Sequence, residues 1–240
     1  MASTFTAHNI RLDDGSFTIP ELPYQMEDFP LLKFTKQFLR FVFPSGVAGK
    51  RIVDLGCLEG GYAVSFAREG LRTLGIEIRQ SNIDNCLRVK QATNLANLEF
   101  VCDDVRNLEK YGKFDAIFCC GILYHLDEPR KFLEQMSRAG ERVLVVDTHV
   151  AAERPNRKFS VSEVTQHEGL TGRWFAEFAR DSDRHADKWS SWDNAKSFWP
   201  MQRDLIEAMR QLGFSIVLEY PIYDPHREAT DRVTIVGLKG

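Results

Sequence analysis

Between Arg51 and His149 short apolar runs alternate with longer amphipathic ones, and that alternation leaves few ways to fold. RIVDLG, TLGIEI, LEFVCDD, FDAIFCCGIL and RVLVVDTH are too short and too evenly apolar to be surface helices, and they predict buried strands. GYAVSFARE, SNIDNCLRVKQATN and DEPRKFLEQMSRAG carry helical spacing between them. Gly70 closes the first helix, Ser81 is the expected cap of the second, and Pro129 and Gly140 bracket the third. Strands joined through helices pair in parallel and are covered on both faces. Right-handed crossovers then give a doubly wound α/β sheet. FSIVLEYPIY and RVTIVGLKG close the chain with no helix between them, so that pair is expected to be antiparallel.

The flanks read differently. HNIRL-DDG-SFTIP predicts a hairpin over residues 8–19. Pro30 opens a helix to about residue 43, with Leu31, Phe34, Phe38, Phe41 and Val42 at helical spacing. Residues 1–48 thus form an N-terminal extension, residues 151–198 an irregular, lid-like insertion, and the whole chain of 240 residues one expected domain. Before WPMQRDLIEAMRQLGF resumes a helix, the insertion holds Trp174, Trp189 and Trp192.

Composition narrows the setting. No apolar run reaches the roughly 20 residues that span a bilayer. The first residues carry no secretory signal pattern, and five cysteines without framework spacing suit a reduced, cytoplasmic location. No Cys/His spacing suggests a metal site. A net charge of -3 gives no general attraction to nucleic acid.

Ligands of such sheets bind at the carboxyl ends of the strands. Four ends here are polar or glycine-bearing: Asp54 through Cys57, Glu77, Asp103-Asp104, and Gly121 through His125. The turn VDLGCLEGGY could serve two kinds of nucleotide cofactor. A nicotinamide dinucleotide wants Gly-x-Gly-x-x-Gly against its diphosphate. Here Leu58 takes the second glycine position, and Glu59 would set a carboxylate beside phosphate. S-adenosylmethionine has no phosphate and carries positive sulfonium and ammonium groups, so acids around the turn suit it. Glu77, 21 residues after Gly56, fits a grip on a ribose diol, and Asp104 an adenine amino group. The expected cofactor-binding residues are therefore Asp54, Gly56, Cys57, Leu58, Gly60, Glu77, Ile78, Asp104, Val105, Cys120 and Gly121. Leu58, having a Cβ, is expected at negative φ. Glu59 is expected to point away from the sulfonium, to contact the cofactor's ammonium indirectly, or to be a solvated carboxylate at the helix start.

VDLGCLEGG, IEI, FVCDDV and GILYHLDEP, in that order with their spacing, resemble the motifs of class I S-adenosylmethionine-dependent methyltransferases. The resemblance covers about Arg51 to Val150 and departs from the family's glycine pattern at Leu58. It implies a mostly parallel seven-stranded sheet in the order 3-2-1-4-5-7-6 with an antiparallel last strand. It also implies methyl transfer to an oxygen or nitrogen of a small molecule such as a sugar, a lipid-linked compound or a secondary metabolite. Such a transfer needs alignment, a dry pocket and, for a hydroxyl or a protonated amine, a base. Tyr124, His125 and His149 are the catalytic candidates, although His125 has the alternative of packing at the helix start. His167 and His185 would take part if the insertion folds over the site. The aromatics of the insertion, interleaved with Arg173, Arg180, Arg184 and Lys188, either line a substrate lid or pin the segment down. Asp181, Asp183 and Asp187 read as an ion-paired face. GILYHLDEP, with its flanks, is also similar to the tRNA wobble-uridine carboxymethyltransferases, whose cofactor pocket includes the residue at Tyr124. This chain is shorter than they are, shows no separate N-terminal domain and lacks a basic balance, so tRNA stands behind a small molecule as acceptor. A cofactor-binding domain without catalysis is a further alternative.

Overall fold

The apolar runs become strands where expected: β1 (Arg51–Leu55), β2 (Arg72–Glu77), β3 (Leu98–Cys102), β4 (Phe114–Cys120) and β5 (Gly140–His149). The computed structural model describes residues 5–154, 159–221 and 231–240. Two further strands end the chain, β9 (Ile216–Glu219) and β10 (Arg232–Leu238). The seven form one sheet in the order β3-β2-β1-β4-β5-β10-β9, with β10 antiparallel to β5 and to β9. This is the expected order, the terminal pair being numbered 9 and 10 because the insertion supplies three strands of its own. The Pro-containing connection between β9 and β10 falls largely outside the described residues.

The chain divides into two units, Met1–Phe118 and Cys119–Gly240. In the first, β1 pairs in parallel with β2 and β2 with β3, joined through α2 (Gly61–Arg68) and α3 (Gln80–Thr93). Ile52, Val53, Leu55, Ile76, Ala63, Val64 and Phe66 are fully buried between sheet and helix. The Ser81 cap is not found: α3 begins two residues earlier than that cap implies, with Arg79 at its cap position. The Arg79 N–H is taken instead by Glu77 Oε1 at 2.8 Å, so the start is set by the strand's last acid. Residues 8–19 make a tight turn with one bridge, Arg11 to Phe17, rather than a full hairpin. Helix α1 (Pro30–Val42) buries Leu31, Leu32, Thr35 and Leu39 instead of the phenylalanine stripe. Leu32 and Leu39, almost inaccessible, each contribute about 2 kcal/mol by burial. Phe34, Phe38 and Phe41 pack on one another along the other side, Phe41 being 77% exposed.

In the second unit α4 (Pro129–Ala139) precedes β5, and α6 (Gln202–Gln211) precedes β9. The insertion is not irregular. It forms an antiparallel sheet of β6 (Thr165–His167), β7 (Leu170–Ala176) and β8 (Lys196–Pro200) in the order β6-β7-β8, with a short helix α5 (Asp181–Ala186) between the last two. His167 pairs with Leu170, so Glu168 and Gly169 alone make the turn, both with left-handed backbone (φ 50° and 75°). Two successive positive φ values are the geometry that matches strand twist in a short hairpin. Glu168 also accepts from the Arg130 and Lys131 N–H groups, satisfying the first turn of α4, whose own cap residue makes no side-chain bond.

Candidate active site

The turn after β1 is held in shape by left-handed residues at alternate positions: Gly56 (φ 67°), Leu58 (φ 52°) and Gly60 (φ 84°). Leu58 was expected at negative φ and is not. The Leu58 N–H donates to Glu77 Oε2 at 3.1 Å, and its carbonyl accepts from the Cys86 thiol at 3.2 Å. These two ties outweigh the steric cost of a left-handed leucine, about 1–2 kcal/mol. Gly60 is required by its neighbours as well as its backbone, since an added Cβ would lie 2.7 Å from the Phe100 ring. Cys57 turns its thiol inward, 4.0 Å from that of Cys86.

Glu59 is neither solvated nor available to a ligand. It is 1% exposed, and its carboxylate accepts from Thr6 N, Thr6 Oγ1, Ala7 N and His8 N at 2.8–3.0 Å. Burial works to raise its pKa, but those four donors outweigh it and hold the carboxyl below its ordinary value. His8 completes the strap by accepting from Gly61 N at 3.0 Å through Nδ1. The residue that looked out of place in a cofactor loop thus anchors the N-terminal segment over it.

Two acids remain beside the turn. Asp54 is 2% exposed, and its Oδ2 has no hydrogen-bond partner among the described residues. Burial pushes its carboxyl up to about 8, against the Ala63 N–H and with help from the charge of Glu77. Glu77, at the end of β2, is also raised, by burial above all, although Arg79 N, Leu58 N and Asn82 bind it. The Glu77 carbonyl accepts from Asp103 N at 3.0 Å, which brings the end of β3 alongside. There Asp104 spends both carboxylate oxygens on Arg106, Val105 is buried at the head of a 3-10 turn, and Ile78 is half-buried. The first unit therefore gathers Asp54, Gly56, Cys57, Leu58, Gly60, Glu77, Ile78, Asp104 and Val105. An orphaned acid oxygen in a dry place, beside a second acid, fits a ligand that brings positive charge and hydrogen-bond donors. It does not fit a diphosphate. S-adenosylmethionine meets that requirement with its ammonium and sulfonium groups, and Glu77 with Asp54 are the residues that would hold it.

The second unit gathers the other candidates. Gly121 N donates to the Asp147 carbonyl at 2.9 Å, and Cys120 lies 3.9 Å from Asp147 Oδ1. Asp147 is itself bound by Arg232 Nε at 2.6 Å and Thr234 Oγ1 at 2.5 Å. The Arg232 guanidinium sits 5.7 Å from the centre of the Tyr124 ring. Burial pushes the Tyr124 phenol up to about 12 despite that cation, so it stays protonated at neutral pH. His125 and His149 flank the same ring, with centroids 4.2 Å and 4.7 Å away. Each imidazole has a carboxylate on Nδ1: Glu177 for His125 and Asp231 for His149, both at 3.1 Å. Neither acid was anticipated, because each lies far along the chain from its histidine.

The aromatics of the insertion divide by role. Trp199 stacks on His149 at 4.9 Å and on Phe175 at 4.7 Å, with Phe159 edge-on to His149 and Trp199. Trp174 packs on His167, and Trp192 stacks on His185, so those histidines serve the segment's own packing. Trp189 is 58% exposed. Arg173 donates to the Ala152, Glu153 and Ser162 carbonyls, while Arg180 and Arg184 pair with Asp183 and Asp181. The expected ion-paired face is present, and these three arginines are engaged within the segment.

A family model described as Methyltransferase domain matches residues 25–219. The chain belongs to that family. As a methyltransferase-domain chain it is 30% identical to a ubiquinone biosynthesis O-methyltransferase of Acinetobacter baylyi over 91 residues, 37% of this chain and 38% of that protein. It is 27% identical to a tRNA U34 carboxymethyltransferase of Campylobacter jejuni over 154 residues, 58% of this chain and 52% of that protein. The methyltransferase-domain chain thus spans about half or less of the length of these curated relatives. Its fold matches the N-terminal domain of EvdMO1, solved with SAH and again with SAH and D-fucose. The TM-score is 0.69 at 23% identity, over 89% of this chain and 82% and 84% of the two solved chains. No helix among the described residues is long and apolar enough to cross a membrane.

Proposed function

We propose that this chain is an S-adenosylmethionine-dependent methyltransferase that methylates a hydroxyl on a small, ring-bearing molecule such as a sugar or a phenol. The observation that carries the reading is the buried Asp54 carboxyl, whose Oδ2 lacks a partner beside Glu77 and the left-handed turn. A cationic cofactor relieves that orphaned acid, and a nicotinamide dinucleotide does not. For the acceptor, the half-buried rings of Tyr124, Phe159 and Phe175, backed by the buried His149 and Trp199, suit a sugar face or an aromatic ring. Arg173, Arg180 and Arg184 are committed internally, which favours an uncharged acceptor over a phosphate-bearing one. The O-methyltransferase relative and the presence of D-fucose with EvdMO1 support the same choice.

Calorimetry tests the cofactor half. Glu77→Ala and Gly56→Val should each weaken binding of S-adenosylmethionine at least about tenfold, or 1.4 kcal/mol. Unchanged affinity in both folded variants, or binding of NADH in place of the sulfonium compound, overturns the proposal. Transfer of labelled methyl to sugar and phenol panels tests the other half. A second reading, carboxymethyl transfer to tRNA, draws on the Campylobacter relative and on the Arg232 cation beside Tyr124. Asp147 already neutralises that cation, which ranks the reading second. Tighter binding of a carboxylated cofactor than of S-adenosylmethionine would promote it.

A further inference from the structure

We propose that Glu177 is the positioning residue for a general base at His125, and that the insertion sheet thereby fixes the acceptor class as a hydroxyl. The proposal rests on the methyltransferase reading above. Glu177 follows directly on β7, and its N–H donates to the Ala195 carbonyl at 3.0 Å, which locks the residue against the run into β8. Its side chain is 3% exposed. Oε1 accepts from His125 Nδ1 at 3.1 Å and from Ser197 Oγ at 2.7 Å, and Oε2 from Ser191 N at 3.3 Å. A carboxylate this deep needs such donors to remain charged. Burial works to raise its pKa, but His125, Ser197 and Ser191 outweigh that and hold it below the ordinary value. With the carboxylate on Nδ1, the neutral imidazole keeps its proton there and presents the lone pair of Nε2.

His149 has a carboxylate on Nδ1 too, but its ring is enclosed by Trp199, Phe159 and Tyr124 and serves as wall. Of the candidates with a carboxylate, His125 meets one ring, Tyr124, and keeps 15% of its side chain exposed. The charged groups on the elements around its 3-10 turn, Leu123–His125, are otherwise engaged. On β5, His149 meets Tyr124 and Asp147 binds Arg232; on β8, Lys196 lies over the Trp174 ring; on α4, Arg130 pairs with Glu134 and Lys131 with Glu128. Glu177 is the carboxylate that touches the imidazole.

A neutral amine already carries the electron pair that attacks a sulfonium methyl, whereas an alcohol or phenol must give up its proton as it attacks. In the step, the acceptor O–H bond breaks toward His125 Nε2 and the oxygen pair forms the new O–CH3 bond. The electrons of the broken C–S bond stay on sulfur, giving a neutral thioether, and the imidazolium returns its proton to solvent.

The test uses the full chain and the Glu177→Gln variant. Nitrogen-15 imidazole NMR, recorded without acceptor, should show the Nδ1–H tautomer of His125 in the parent. With a hydroxyl acceptor, kcat of Glu177→Gln should fall about tenfold while KM and cofactor Kd stay within about twofold, and Glu177→Asp should recover part of the loss. A purely structural tie would move KM and Kd together with kcat. An Nε2–H tautomer in the parent, or an unchanged kcat in the variant, overturns the proposal. Should Glu177→Gln fail to fold, the parent spectrum decides between the two tautomers. NMR and calorimetry also separate the two readings: a protein that binds no sulfonium yet shows the Nδ1–H tautomer loses the function proposed above and keeps the dyad.

Discussion

Replacing Asp54 by asparagine removes a buried titratable carboxyl whose Oδ2 has no partner among the described residues, and the effect should reverse sign with pH. The carboxyl is pushed up to about 8 by burial and by Glu77, from an ordinary 3.8. Between those values the folded chain keeps a proton that the unfolded chain has released. Stability from this group is therefore complete below pH 3.8 and is lost as pH rises toward 8. At pH 7 the difference is roughly 4 kcal/mol, and between pH 5 and pH 8 the parent loses about 3–4 kcal/mol through this group. Asparagine loses none of that, but it leaves a dry N–H that costs about 1–3 kcal/mol at every pH. The variant should be equal to or less stable than the parent at pH 5 and more stable at pH 8. Glu77 is raised in the same direction, and its repulsion of Asp54 is part of the shift that the variant removes. Urea unfolding followed by tryptophan fluorescence at the two pH values reads the crossing. Calorimetry on the same protein should show binding of S-adenosylmethionine at least about tenfold weaker, since the acid that receives its positive end is gone. Parallel pH dependence in parent and variant would mean that Asp54 is ionised and satisfied in the fold, and the argument from the orphaned oxygen would fail.

Two substitutions in the turn have separate signatures. Leu58→Gly relieves a left-handed leucine and should change stability by less than about 1 kcal/mol in either direction, whereas Leu58→Val should cost more than about 1 kcal/mol, both read by thermal unfolding. Glu59→Ala leaves the N–H groups of Thr6, Ala7 and His8 without their acceptor. It should lower stability by about 2–4 kcal/mol and speed hydrogen exchange of those three amides, and unchanged exchange would count against the strap.

The sheet was legible because its signal is local and repeated. Each strand is a short apolar run, each crossover a helix of ordinary length, and the terminal pair lacks a helix between them. Asp54, Gly56 and Glu77 were legible for the same reason, since strand ends in such a fold fall at one edge and their spacing can be counted. The insertion's sheet was not, because its hairpin turns at Glu168-Gly169, a dipeptide without the usual asparagine or aspartate at the first left-handed position. The negative φ expected of Leu58 and the solvated alternative for Glu59 failed because their constraints come from elsewhere: Glu77 and Cys86 for the one, Thr6 through His8 for the other. Glu177 and Asp231 lie 52 and 82 positions from the histidines they hold, a separation at which no periodicity carries information. The buried face of α1 was misjudged by weight of hydrophobicity. Its aromatics are larger than its leucines, yet Leu31, Leu32 and Leu39 are buried and Phe41 is not.

The latch between Glu59 and residues 6–8 spans 51 to 53 positions of sequence. A turn fastened by so distant a partner reaches its working shape only after a long stretch of chain has closed on itself, and such closures come late. The neighbouring strand and helix can assemble from nearby contacts well before that. During refolding, recovery of ligand affinity should trail the return of secondary structure, and a chain whose opening residues have been trimmed should refold its sheet at the usual pace while the final, affinity-restoring phase disappears.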